Sequence, residues 1–186
     1  MPIKHFDYWK IDKYIPENIC DHILDTYSQY EEGTIILADD VVNKDEKTRD
    51  SDVCWIDEPF WKNTILDAIC RVNIDSGLNF NIKTIEPLQL TRYVAPHGHY
   101  DFHQDGNGYT TKNNLTRKLS FSCLLNNSED FEGGELEFFT STTPHSVKLN
   151  KGDIVVFPSY QLHRVKPVTK GKRYSLVAWV DGPQFQ

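Results

Sequence analysis

The chain has 186 residues, a length that favours one domain with a core of ordinary size. Acidic residues outnumber basic ones by 27 to 20, for a net charge of −7, and no basic stripe runs along the chain, which argues against nucleic acid as a partner. No apolar run reaches the roughly 18 residues that a membrane span needs, and the first ten residues carry no signal-peptide pattern.

Taken in order, residues 1–15 read as an opening strand with apolar Phe6, Tyr8, Ile11, Tyr14 and Ile15. Pro16 suits the first turn of a helix, and Ile19, Ile23, Leu24 and Tyr27 repeat at three and four, which predicts a helix over 16–30. Gly33 closes that unit, Thr34 to Ala38 is a short β-branched run, and the charged stretch Asp39 to Asp52 reads as a loop. A second helix starts at Glu58-Pro59-Phe60, carries Trp61, Ile65, Leu66, Ile69 and Val72 on one face, and stops at Gly77. From Phe80 the apolar period changes to two. Strands are predicted at 80–94, 99–104, 116–125, 135–139, 145–149, 153–157, 162–166 and 172–180, separated by turns such as Glu132-Gly133-Gly134, Asn150-Lys151-Gly152-Asp153 and Lys170-Gly171. Two helices followed by about eight short strands indicate an α+β, mainly β fold, a double-sheet roll with helical support. Four Trp, nine Tyr and ten Phe suit such a fold. Residues 1–79 are expected to form a supporting region and 80–186 the core of a single structural domain. The cysteines, Cys20, Cys54, Cys70 and Cys123, show no CxxC pairing, so reduced, buried thiols in a cytoplasmic protein are expected.

The densest chemistry lies between Tyr93 and Gly106, which holds His97, His99, His103, Asp101 and Asp105. Two H-x-D triplets overlap there, His99-Tyr100-Asp101 and His103-Gln104-Asp105. In a strand, residues two apart share a face, so either triplet can aim two ligands at one ion. With a further histidine the set becomes two imidazoles and a carboxylate, the arrangement of non-haem Fe(II) oxygenases. The turn signal Asp105-Gly106-Asn107-Gly108 favours the second triplet, because a site at a strand end opens to substrate, but spacing alone leaves both open. His163 is the candidate third ligand. If 162–166 and 172–180 form a hairpin, His163 faces Arg173 across it, and Ser175 lies on the same face. A guanidinium there suits the far carboxylate of a diacid co-substrate such as 2-oxoglutarate. His145 is a rival third ligand, His5 and His22 read as structural or solvent-facing, and His97, His99 and Tyr100 are candidates for the substrate entrance.

Tyr93, Tyr100, His103 and Asp105 match the Y-x6-Y-x2-H-x-D pattern of the prolyl 4-hydroxylase-like Fe(II)/2-oxoglutarate dioxygenases. Arg117-Lys118-Leu119-Ser120, Phe131-Glu132-Gly133-Gly134-Glu135-Leu136, Lys151-Gly152-Asp153, Phe157-Pro158-Ser159 and Leu162-His163-Arg164-Val165-Lys166-Pro167-Val168 resemble the bacterial PKHD-type hydroxylases, over about residues 80–181. The resemblance implies a double-stranded β-helix (jelly-roll) core and decides the tie for His103 and Asp105. It implies His103, Asp105 and His163 as catalytic Fe(II) ligands. Arg173, with Tyr93 and Ser175, would bind 2-oxoglutarate, and ascorbate would be the candidate accessory cofactor. Leu124 departs from the pattern, standing where some prolyl hydroxylases place a second co-substrate-binding tyrosine. The implied reaction consumes 2-oxoglutarate and O2, releases succinate and CO2, and hydroxylates a C–H bond, with a prolyl residue of a peptide or protein as the leading substrate. The rivals are a non-catalytic jelly-roll module that binds a sugar or another small ligand, and a cupin, whose second glutamate spacing is missing.

Overall fold

The computed structural model of the protein describes residues 3–4, 8–36, 42–43, 47–106, 114–140 and 142–184. Two antiparallel sheets dominate it. The larger runs through Ile3–Lys4, Trp9–Ile11, Ile154–Pro158, Leu115–Leu124, Val168–Pro183, Leu88–Val94, Asp52–Ile56 and Glu31–Glu32. Phe131–Gly133 and Thr84–Ile85 also pair with the long 168–183 strand. The smaller sheet runs Pro144–Val147, Leu136–Phe139, His163–Val165, His99–His103 and Arg49–Asp50. Residues before 80 therefore supply strands to both sheets, and Ile35–Ile36 pairs with Val42–Asn43 in a separate ribbon.

The central strands of the large sheet are covered on both faces, and their alternation sorts two environments. Leu88 and Leu90, Leu119, Phe121 and Cys123, Ile154 and Val156, and Leu176, Ala178 and Val180 point to one side, where they form a core with the helices Glu17–Thr26 and Pro59–Asp75. The second helix contributes Trp61, Ile65, Ile69 and Val72, as the sequence predicts, together with Ala68, which it does not, while Leu66 is only half-buried at the edge of this core. Each such side chain contributes about 1.5–3 kcal/mol by leaving water, so a charge at Ile69 would undock the helix. Gly77, at φ +77, ends it in the left-handed turn that only glycine adopts freely. On the other side of the sheet, Tyr93, Leu124, Val155, Phe157 and Val168 meet Leu136, Phe138, Val147 and Val165 of the small sheet. The four cysteines are free thiols, all buried except the half-buried Cys70. Among the described residues no helix is long and apolar enough to cross a membrane.

Three expectations change. The first helix stops at Thr26, because Tyr27 turns extended and its hydroxyl accepts a hydrogen bond from Trp61 Nε1 at 2.9 Å, tying the helix end to the second helix. The charged 39–52 stretch is not all loop: Arg49–Asp50 is the edge of the small sheet, and Asp52–Ile56 is a strand of the large one. Residues 39–41 and 44–46 lie outside the described residues. The 162–166/172–180 hairpin does not form. His163–Val165 already has both edges occupied, by His99–His103 and Leu136–Phe139. The chain leaves it through Lys166-Pro167, with Val168 N–H donating to Gly98 O at 2.9 Å, and enters the other sheet.

Candidate metal centre and the cavity beside it

His103 and His163 are direct cross-strand partners, so their side chains start from adjacent points on one face. Each ring is fixed by a backbone carbonyl two residues upstream. His103 Nδ1 lies 2.7 Å from Asp101 O, and His163 Nδ1 lies 2.9 Å from Gln161 O. A carbonyl only accepts, so each Nδ1 carries the hydrogen and each Nε2 keeps its lone pair. Those Nε2 atoms sit 3.5 and 3.7 Å from the two carboxylate oxygens of Asp105. One ligand atom from each of the three residues lies within 4.8 Å of the others. Burial pulls the His163 pKa down to about 4, which leaves a neutral imidazole ready to donate. Burial pushes Asp105 up, but in acid, where the neighbouring imidazoles carry protons, they and Arg117 outweigh it and hold the carboxyl below its ordinary range. Asp105 also accepts a 2.6 Å hydrogen bond from Ser120 Oγ, itself 3.0 Å from Ser159 Oγ. Two neutral nitrogens and one carboxylate beside a cavity fit a divalent first-row metal with open positions, Fe(II) among them.

The competing triplet is separated by a break in the strand. The register shifts between the pairs Tyr100↔Val165 and His103↔His163, three residues on one strand spanning two on the other. Tyr100 therefore joins His103 on one side, their rings stacked with centroids 3.6 Å apart. The simple alternation expected of a regular strand through both triplets therefore does not hold. His99 instead spans the carbonyls of His97 and Lys47 at 2.8 and 3.0 Å, and Asp101 is exposed. Neither His97 nor His99 lines the cavity, whereas Tyr100 does. His145 stacks on Tyr8 at 5.6 Å, His22 is exposed on the first helix, and His5 lies outside the described residues.

The cavity has a volume of about 470 Å³ and is lined by His103, Asp105 and His163, by Gln89, Thr91 and Tyr93 along one strand with Ser175 on the strand beside it, and by Arg49 and Tyr100. Arg173 lies behind Tyr93 and Ser175. It is 2% exposed, donates to Ser175 Oγ at 3.1 Å, and holds its guanidinium carbon 5.6 Å from the Tyr93 ring centroid. Among the described residues no carboxylate forms an ion pair with it, and burial lowers its pKa. A buried, unmatched cation calls for an anion. Gly134, at φ +68, makes room for it: a Cβ there would sit 3.0 Å from Arg173 Cδ. Leu124 packs in the core between the sheets with Tyr93. Arg173 does not itself line the cavity; it stands one layer back, in contact with Tyr93 and Ser175, which do, on the sheet opposite His163.

Several lining residues received no role from the sequence. Arg117 makes a two-pronged ion pair with Glu86 at 2.6 and 2.7 Å and lies 4.0 Å over the Trp179 ring. Trp179 in turn faces Trp55 at 6.4 Å. The readable signal was the polar residues on one parity of otherwise apolar strands: Gln89 and Thr91, Ser120 and Ser122, Arg173 and Ser175. Arg49 gave no such signal, being one charge in a charged run.

Residues 88–181 match the family model of the 2OG-Fe(II) oxygenase superfamily. A PKHD-type hydroxylase of Xylella fastidiosa strain M23 is 36% identical over 124 residues, 63% of this chain and 53% of the relative. One from Psychrobacter sp. strain PRwf-1 is 41% identical over 102 residues, 53% of this chain and 39% of the relative. The chain spans about half the length of the curated relatives it matches. Among solved structures, the viral collagen prolyl hydroxylase of Paramecium bursaria Chlorella virus-1, a 2OG complex, superposes with a TM-score of 0.70 at 20% identity, covering 95% of this chain and 96% of that one. A Pseudomonas putida prolyl-4-hydroxylase gives 0.64 at 19% identity, covering 96% and 94%. At such identity these structures establish the shared fold alone. The family match covers half of the residues, and the chain belongs to the 2OG-Fe(II) oxygenase superfamily.

Proposed function

We propose that the protein is an Fe(II)- and 2-oxoglutarate-dependent dioxygenase that hydroxylates a C–H bond of its substrate, built on a double-stranded β-helix. The observation that supports this most directly is the pairing of the convergent His103, Asp105 and His163 ligand atoms with a buried guanidinium, Arg173, that has no acidic partner among the described residues. His103, Asp105 and His163 would hold Fe(II), which when bound supplies dioxygen reduction coupled to decarboxylation of 2-oxoglutarate to succinate and CO2. Arg173 and Ser175 hold the co-substrate's far carboxylate, and Tyr93, a buried phenol that stays protonated, can donate to it. The walls between the two sheets keep water away from the reacting end. A carboxylate in the ligand set, where an alanine or glycine would leave room for a halide, favours hydroxylation. The leading substrate is a prolyl residue of a peptide or protein. A prolyl hydroxylase from Trichoplax adhaerens, similar in fold with a TM-score of 0.70 at 19% identity, was solved with a hypoxia inducible factor peptide fragment.

Anaerobic addition of Fe(II) and 2-oxoglutarate should give a visible charge-transfer absorption, and O2 should then release succinate, assayed with and without ascorbate. His103→Ala and Asp105→Ala should abolish both signals. Retention of either signal in both variants would remove the assignment and leave a non-catalytic binding module.

A further inference from the structure

Among the described residues, one charge in the cavity is left over. A divalent ion with Asp105 and Arg173 carries two net positive charges, and 2-oxoglutarate brings two negative ones. Arg117 is matched by Glu86. The nearby acid Asp52 is held by Arg92 at 2.9 Å. Arg49 lines the cavity, is 8% exposed, and has no acidic partner among the described residues. Its hydrogen bonds go to neutral acceptors: Nε to Ser51 Oγ at 2.8 Å, Nη1 to Thr34 O at 3.0 Å, and Nη2 to Gln89 Oε1 at 2.9 Å. Its carbon sits 4.8 Å from the Tyr100 ring centroid, and that ring also stacks on His103 with centroids 3.6 Å apart. A guanidinium has five N–H groups, so one remains on each terminal nitrogen, the number that an end-on grip on a carboxylate uses.

We propose that Arg49 binds a carboxylate of the substrate, so that the molecule hydroxylated here is an anion. This rests on the dioxygenase reading of the same cavity. The group is one aromatic ring away from the metal ligand His103, so the carboxylate lies close to the reacting carbon: it is the α-carboxylate of a small amino acid, or an acidic group adjoining the target residue of a peptide. Three neutral bonds hold the guanidinium in place beforehand, which lowers the ordering cost of capture.

The test uses the full chain loaded with Zn(II) and 2-oxoglutarate, so that binding is measured without turnover, read by the fluorescence of Trp55 and Trp179, which line the cavity. The probes are matched pairs: L-proline with L-prolinamide for the free amino acid, and N-acetyl-Pro-Asp-amide with N-acetyl-Pro-Asn-amide for the peptide. The acid of at least one pair should bind about tenfold or more tighter than its amide, as expected for a lost charged fork. That ratio should fall to near unity in Arg49→Gln and stay intermediate in Arg49→Lys, which keeps the charge without the fork. Equal binding of acid and amide in both pairs overturns the inference even if no variant folds. So does failure of both acids to bind below about 10 mM, or an acid preference that survives in Arg49→Gln. Loading with Zn(II) and 2-oxoglutarate is verified first on the same sample. Its failure sinks the dioxygenase reading, whereas intact loading without acid preference sinks only the role of Arg49.

Discussion

Ser120 gives the sharpest test of how the metal site is organised. Its hydroxyl is fully buried, donates to Asp105 at 2.6 Å, and is backed by Ser159 Oγ at 3.0 Å. With that bond, Asp105 is fixed before a metal arrives; without it, the carboxylate must be ordered at the moment of binding. A hydrogen bond to a charged group contributes about 1.5–3 kcal/mol, and loss of a partner one step removed from a metal typically costs about 10–100-fold in affinity. Part of the loss falls on the metal-free fold too, so Ser120→Ala should weaken Fe(II) or Zn(II) binding by roughly tenfold, the low end of that range. Ser120→Thr, which keeps the hydroxyl, should retain most of the affinity. Ser159→Ala, one bond farther out, should lose less. The assay is competition against a chromophoric chelator, with the thermal midpoint measured on the same samples. An Ser120→Ala protein with unchanged affinity would show that Asp105 is positioned by the fold alone.

Arg173→Ala should raise the apparent Km for 2-oxoglutarate by about ten- to a hundredfold, and Tyr93→Phe by only about threefold to tenfold, since a charged hydrogen bond outweighs a neutral one; equal effects would reverse the roles. Gly134→Ala forces a side chain into a left-handed φ beside Arg173, so it should lower stability by about 1 kcal/mol or more and weaken 2-oxoglutarate binding together. Asp181 is 2% exposed, and burial, then the charge of Glu86, lifts its pKa to about 6. The folded state therefore holds a proton that the unfolded chain releases near pH 4, so this group's contribution is full below about pH 4 and is lost as pH rises through about 6. Asp181→Asn should be more stable than the parent at neutral pH, by on the order of 1–3 kcal/mol, and equal to it near pH 4 in urea unfolding.

What could be read from the residues followed their local repeats. The apolar period of three and four over 61–72 and the alternation over 116–125 and 172–180 are enforced by burial of one face, and they reappear as the second helix and the central strands. The convergence of His103, Asp105 and His163 was legible through the family pattern rather than through spacing, which left two H-x-D triplets open. The failures lie where a single long-range event decides. The strand irregularity between Tyr100 and His103 reassigns every later side chain to a new face, and no residue type there announces it. The switch of sheets at Lys166-Pro167 depends on both edges of His163–Val165 being taken, which only the assembled sheet reveals. Arg49 became significant because its strand closes the small sheet beside His99–His103, not through its charged neighbours.

The same sheet carries two tasks on its two faces. The helix side is mostly apolar, with the Arg92–Asp52 ion pair at its edge, and supplies most of the burial that stabilises the fold. The cavity side buries Gln89, Thr91, Ser120, Ser122, Arg173 and Ser175, groups that cost free energy wherever their hydrogen bonds are incomplete. Arg173 holds a full charge away from water with no acid beside it among the described residues, so an apolar residue there would serve the fold better. Arg49 is likewise without an acid among the described residues, but its three hydrogen bonds to Ser51, Thr34 and Gln89 would be lost with it. Their presence makes sense if the anions that complete them come and go, one as the co-substrate and one as the substrate. On this reasoning Arg173→Met should hold or raise the thermal midpoint of the free protein while losing the stabilisation that 2-oxoglutarate adds to the parent, whereas Arg49→Met should lower the midpoint and lose the stabilisation that an acidic probe adds.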